Sequence, residues 1–152
     1  TGVLAHVAVT SAALRGERAA REKVAGVIHL LDLDDIADRP VAGLPLGTLR
    51  MVELARALVS GAKLVMLDEP ASGLDNTETA KLAEHLYHVR DNLGTSILLI
   101  EHDVHMVTSV SDYMYVVNRG KLLSEGLPAH VQRDDVVIAA YLGSSEEQPA
   151  AV

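Results

Sequence analysis

The sequence predicts an α/β fold with a largely parallel sheet and a helical subdomain ahead of it. Three observations predict it. Apolar, strand-like runs alternate with amphipathic helical stretches after residue 60. The first 60 residues supply helices without strands. The run Leu64-Val65-Met66-Leu67 is apolar without polar alternation, which suits a strand buried on both faces of a parallel sheet.

In chain order, residues 1–14 suit a helix of small and β-branched residues. From Arg15 to Leu31 the pattern is clearer: Val24, Val27, Ile28 and Leu31 recur at helical spacing, with charged residues opposite. Asp32 to Asp38 is an acidic break, closed by Arg39-Pro40. A loop over Val41–Leu46 leads to Gly47, which opens a helix from Thr48 to Ser60. Its apolar stripe is Met51, Val52, Ala55, Leu58 and Val59, and Gly61 ends it. The central strand follows at Lys63–Leu67. After the turn Ala71-Ser72-Gly73-Leu74, Asp75 and Glu78 form a capping box. The helix it starts carries Leu82, Leu86, Val89 and Leu93 inward and finishes at Gly94. A second buried strand, Ser96–Ile100, runs into Glu101-His102-Asp103, and a helix through Val104, Val107 and Val110 comes next. Tyr113–Val117 and Lys121–Ser124 are strands joined at Asn118-Arg119-Gly120. A helical tail, Ala129–Leu142, precedes a polar end expected to be disordered. The expected domains are a helical subdomain over 1–60, a second layer over 61–143, and that tail over 144–152.

Composition narrows the function. The chain of 152 residues is long enough for a real core, which must be aliphatic because there are four Tyr and no Phe or Trp. A net charge of −8 gives no support for nucleic acid or an anionic membrane surface as partner. Without Cys there is no disulfide or thiol chemistry. Val136–Leu142 falls far short of the roughly 20 residues of a spanning helix. The apolar start, Thr1–Leu14, lacks a basic leader and an initial Met, so the chain is expected to be a piece of something longer.

The chemistry concentrates where the central strand ends in Asp68-Glu69, with Pro70 stopping the run. Open α/β sheets place ligands at the carboxyl ends of their strands. Side chains alternate along a strand, so one carboxylate can hold a cation while its neighbour points elsewhere. Metal-assisted phosphoryl transfer needs that division. A solvated Asp-Glu turn is the bland alternative, and the flanking chain decides between them.

A glycine-broken loop opening a helix, a strand ending in Asp-Glu and a strand ending in Glu-His-Asp follow one another in order. With these features the sequence resembles the nucleotide-binding domain of ATP-binding cassette (ABC) transporters, a P-loop NTPase-type fold. Leu64–Glu69 resembles the family's Walker B strand and Ser72-Gly73-Leu74-Asp75 its D-loop. His102 sits at the place of the switch histidine. Leu44-Pro45-Leu46-Gly47-Thr48 stands where the signature motif belongs. The resemblance implies that Asp68 orients the shell of a Mg²⁺ ion, Glu69 polarises the attacking water and His102 contacts the γ-phosphate of ATP. It implies that Ser72, Gly73 and Asp75 belong to the nucleotide-binding residues, with Asp75 coupling the two sites of a dimer. The signature loop, Leu44 to Thr48, would face the other subunit's ATP, with Gly47 letting backbone approach phosphate. The partners implied are a second nucleotide-binding subunit and transmembrane permease subunits, at the cytoplasmic face of the inner membrane.

The signature departs from the commoner Leu-Ser-Gly-Gly-Gln form. Pro45 replaces a phosphate-binding serine, Leu46 a glycine and Thr48 the glutamine. Pro45 is familiar in the importers of branched-chain and other hydrophobic amino acids. Ile100–Asp103 and Val137–Gly143 also look like that branch. An exporter of lipid or lipopolysaccharide is the rival within the family, and a non-catalytic interaction module the rival outside it. His85 and His88 beside Glu84 do not form His-Glu-x-x-His, so they read as structural. No G-x-x-x-x-G-K-[S/T] loop occurs in the sequence. The chain thus reads as the helical lobe plus the later half of an ATPase core, inactive by itself.

Overall fold

The computed structural model describes residues 2–142, with side chains from 13 to 140. Two compact units, Thr1–Leu98 and Leu99–Val152, make up the chain. The polar end expected over 144–152 lies outside the described residues.

In the first unit, α1 (Gly2–Leu30) is one helix where the sequence suggested two stretches. Exposed Glu17–Arg21 and Arg18–Glu22 pairs at 2.8 and 2.9 Å support it, at i,i+4 spacing. Val27 and Leu31 are buried. The helix ends because Asp32 turns left-handed, with φ 53°. The Asp32 N–H then donates to the His29 carbonyl and the Leu33 N–H to the Ile28 carbonyl, a Schellman closure with buried Leu33 as its hydrophobic contact. A 3₁₀ turn, Asp34–Ile36, occupies the acidic break.

Helix α2 (Leu46–Val59) starts one residue before Gly47, and the Leu49 N–H donating to the Pro45 carbonyl at 3.0 Å closes its first turn. Its buried stripe is Met51, Leu54, Ala55 and Leu58. Leu54, absent from the expected stripe, is 3% exposed, while Val52 and Val59 are half-buried. Tertiary contacts rotate the buried face slightly: α1 packs against both α2 and α3.

Strand β1 (Leu64–Asp68) pairs with β2 (Ser96–Ile100). The Ser96 N–H donates to the Lys63 carbonyl at 2.9 Å, so the strands begin side by side and run in one direction. Helix α3 (Asn76–Leu93) makes the crossover. It buries Leu82, His85, Leu86 and Val89 and closes at Gly94, left-handed with φ 60°. Leu93, expected inside, is exposed. The strands are not buried on both faces: Val65 is 4% exposed, but Leu64 and Met66 reach 53% and 67%. Nothing among the described residues covers that face, and an apolar run states only what a strand would bury.

In the second unit Asp103 caps α4 (Val104–Val110), its carboxylate accepting from the Met106 N–H at 3.1 Å. Strands β3 (Met114–Asn118) and β4 (Lys121–Gly126) form an antiparallel hairpin with a bulge after Val116. Positive φ at Arg119 and Gly120 fits a two-residue hairpin turn. Among the described residues the strands form two separate two-stranded sheets, the same-direction β1–β2 pair and the antiparallel β3–β4 hairpin. Met114, Val131 and Val137 form a core with Val107 and Val116 against it. The expected helical tail is broken into α5 (Pro128–Val131), α6 (Asp135–Val137) and a π turn over Ile138–Leu142. Asp134 breaks it: its carboxylate accepts from the Ser124 hydroxyl at 2.6 Å and the Val136 N–H at 2.9 Å.

Candidate functional site

Strand β1 delivers Asp68 as its last residue, exposed at the strand's carboxyl end. Glu69 follows outside the strand with φ 43°, in the left-handed region. Strand alternation therefore does not set its direction, as the sequence had suggested. The turn does: the Ser72 N–H donates to the Glu69 carbonyl at 3.0 Å, and Pro70 behind it is buried. A non-glycine residue held left-handed costs energy and is found where surroundings or function require it.

Between α2 and β1 lies a cavity of about 250 Å³ that reaches Asp68. Arg50, Glu53, Leu54 and Ala57 line it from α2, Val65 to Asp68 from β1, with Pro70 and Leu82. The Arg50 Nη1 donates to Glu53 at 3.0 Å, while its Nε is buried with no partner.

The turn after Glu69 leads into the cap of α3. The Asp75 carboxylate accepts from the Thr77 and Glu78 N–H groups, each at 2.8 Å. Glu78 Oε2 accepts in return from the Asp75 N–H at 3.1 Å. The same region meets the start of α2. A Cβ on Gly73 (φ 80°) would lie 2.9 Å from Leu46 Cδ2, and one on Gly47 would lie 2.6 Å from Glu78 Oε1. The structure thus brings Leu46 and Gly47 against Gly73 and the Asp75 cap. Of the remaining loop residues, Pro45 is the N-cap of α2 without a side-chain bond, Leu44 and Thr48 are half-buried, and Ser72 is exposed.

His102 belongs to the second unit, directly after β2, and its side chain is 72% exposed. Glu101 beside it is buried to 1% at the side chain. Glu101 Oε2 accepts from the His102 N–H at 3.1 Å and lies 3.7 Å from its Nδ1.

The chain is similar to known proteins over most of its length. The ABC transporter family matches residues 3–72, across α2 and the end of β1. The branched-chain amino acid ATP-binding cassette transporter family matches 121–147. The LivG protein of Salmonella typhimurium, a high-affinity branched-chain amino acid transport ATP-binding protein, is 38% identical over 145 residues. That covers 95% of this chain and 57% of the relative. The chain belongs to the ABC transporter ATP-binding family. The Escherichia coli LivG is 37% identical over the same shares. A zinc import ATP-binding protein, ZnuC of Alkalilimnicola ehrlichii, is 41% identical over 85% of the chain and 49% of that protein. An ATP-binding cassette of an ABC transporter in its ADP conformation superposes with a TM-score of 0.72 at 28% identity. The match covers 82% of this chain and 50% of that one. The chain spans about half the length of the relatives it matches.

As an ABC chain it can be tested for Mg²⁺. No cluster of three or more His, Cys, Asp or Glu suited to a metal occurs among the described residues. Mg²⁺ bound to a nucleotide keeps water and phosphate ligands and takes only one or two carboxylates. The exposed Asp68 fits that demand. Two further residues, Glu101 and Glu78, adjoin the candidate site residues. Glu101 is signalled in the sequence by its place next to His102, whereas the sequence pattern of Glu78 signals only a cap.

Proposed function

We propose that this chain supplies the signature-bearing helical subdomain (1–60) and the later half of the ATPase core (61–143) of an ABC subunit. That subunit would power uptake of branched-chain or other hydrophobic amino acids. In it Asp68 would hold the water shell of Mg²⁺, Glu69 would take a proton from the attacking water, and His102, with Glu101 beside it, would contact the γ-phosphate. The ion, when bound, withdraws charge from the phosphates. Leu44 to Thr48 face the ATP of a second nucleotide-binding subunit, and Ser72, Gly73 and Asp75 carry the coupling between the two sites. Permease subunits hold the pair at the cytoplasmic face of the membrane. No described helix is long and apolar enough to cross it.

One observation carries this reading: β1 ends in Asp68, Glu69 follows in strained backbone, and the capped turn leads straight into α3. The family match over 121–147 supports the solute class. The ZnuC identity supports a second reading, an importer of another solute. The test is a subunit in which the amino-terminal portion of the Escherichia coli relative precedes this chain. Mg-ATP hydrolysis should appear, and Glu69→Gln should cut it by roughly 10²-fold, the scale of a lost general base. Hydrolysis indifferent to Glu69 would overturn the assignment.

A further inference from the structure

We propose that Glu78 is a positioning residue that locks the first turn of α2 to the Ser72–Asp75 turn, making the two segments one moving part. The proposal rests on the ATPase reading for its functional half only. Glu78 has two carboxylate oxygens with two employments. Oε2 accepts from the Asp75 N–H at 3.1 Å, closing the cap of α3. Oε1 lies 2.6 Å from where a Cβ on Gly47 would stand, with Cδ at 3.0 Å and Cγ at 3.3 Å. No side chain at residue 47 leaves that carboxylate in place. The reverse contact is built the same way, with Leu46 Cδ2 2.9 Å from a Cβ position on Gly73. Each segment thus offers a glycine to a side chain of the other. The cap of α2 is Pro45, which makes no side-chain bond, and a carboxylate beside the first turn suits the helix dipole. Movement of the Ser72–Asp75 turn away from α2 must then give up the Gly47–Glu78 contact or break the Asp75–Glu78 bond.

A residue that only capped α3 would leave α2 unaffected, which separates the two roles. Amide hydrogen exchange in this chain reads the Asp75 N–H and the Leu49 N–H, the latter bonded to the Pro45 carbonyl. Glu78→Ala should speed Asp75 exchange by about tenfold, the scale of one lost hydrogen bond, and should also speed exchange at Leu49, whose own bond to Pro45 it leaves in place. Faster exchange at Asp75 with Leu49 unchanged would overturn the proposal. Gly47→Ala should speed Asp75 exchange by displacing Glu78, and should do so by less than about twofold once Glu78→Ala is present. An equal effect in both backgrounds overturns the interlock. If Glu78→Ala fails to fold, Gly47→Ala alone decides, because an unchanged Asp75 amide refutes it. In the subunit joined to its relative's amino-terminal portion, Glu78→Ala should lower kcat with KM for ATP held within about twofold, and Glu78→Gln should restore it. Normal kcat beside a positive exchange result overturns the functional half while the interlock stands. Loss of all hydrolysis in the unmutated subunit would instead count against the ATPase reading.

Discussion

Glu69 adopts a left-handed backbone that costs an L-residue about 1–2 kcal/mol. Glycine would relieve that strain at the expense of chain entropy. Glu69→Gly should therefore leave stability within about 1 kcal/mol of the parent, measured by urea unfolding. A loss well beyond that would show that the side chain, not function, holds the turn. Gly47 was expected to be glycine for the sake of a phosphate. The contact with Glu78 supplies a reason inside the chain itself. Gly47→Asp would bring a second carboxylate against the end of the Glu78 side chain and should destabilise this chain by roughly 0.5 kcal/mol, the scale of a like-charge pair, without any nucleotide. A thermal melt superimposable on the parent's would restore the phosphate as the main reason for glycine there.

At the scale of elements, the caps carry much of the local order. Asp75 holds two amides of α3 and receives Glu78 in exchange. Asp75→Ala should cost about 1–2 kcal/mol, and a cost near zero would mean water caps the helix equally well. Asp134 ties α6 to β4. The Ser124 hydroxyl first, then the Val136 N–H, hold its carboxyl below the ordinary range, against a smaller opposing effect of desolvation. Its folded value lies below the unfolded one of about 3.9, so its stabilisation is complete above that pH. It is lost as pH falls through the lower folded value. Asp134→Asn should flatten that part of the acid limb in urea midpoints taken between about pH 2 and 6; an unchanged limb would assign it to other carboxylates.

For the whole molecule, the exposed face of the β1–β2 pair matters most. Leu64, Met66 and Leu98 are 53%, 67% and 46% exposed. A two-stranded sheet also leaves an unpaired edge on each strand among the described residues. Open edges beside apolar side chains favour pairing with another chain. Light scattering on the purified chain should show mass rising with concentration, and a clean monomer at high concentration would refute this. Titration of Mg-ATP by calorimetry should give no micromolar binding, because the phosphate-cradling loop is missing from the sequence and Asp68-Glu69 repel a polyanion. Micromolar affinity would locate phosphate contacts elsewhere in the chain.

The sequence by itself determined what neighbours within a few residues decide. The Asp75–Glu78 cap, the Gly94 closure, the extent of β2 and the hairpin turn at Arg119-Gly120 were all legible there. So was the order Asp68-Glu69, Asp75, His102, because motif spacing is a property of the chain. Tertiary structure decided what depends on residues far apart. Leu54 went inside in place of Val52, and Leu93 stayed outside, because packing partners rather than periodicity choose the buried face. The tail broke at Asp134 because Ser124, ten residues earlier, offered its carboxylate a hydroxyl. Gly47 met Glu78, and Leu46 met Gly73, only once α2 and α3 were laid together. Local pattern states which surface a segment can bury and which amides it can cap; contact between distant segments depends on where the whole chain places them.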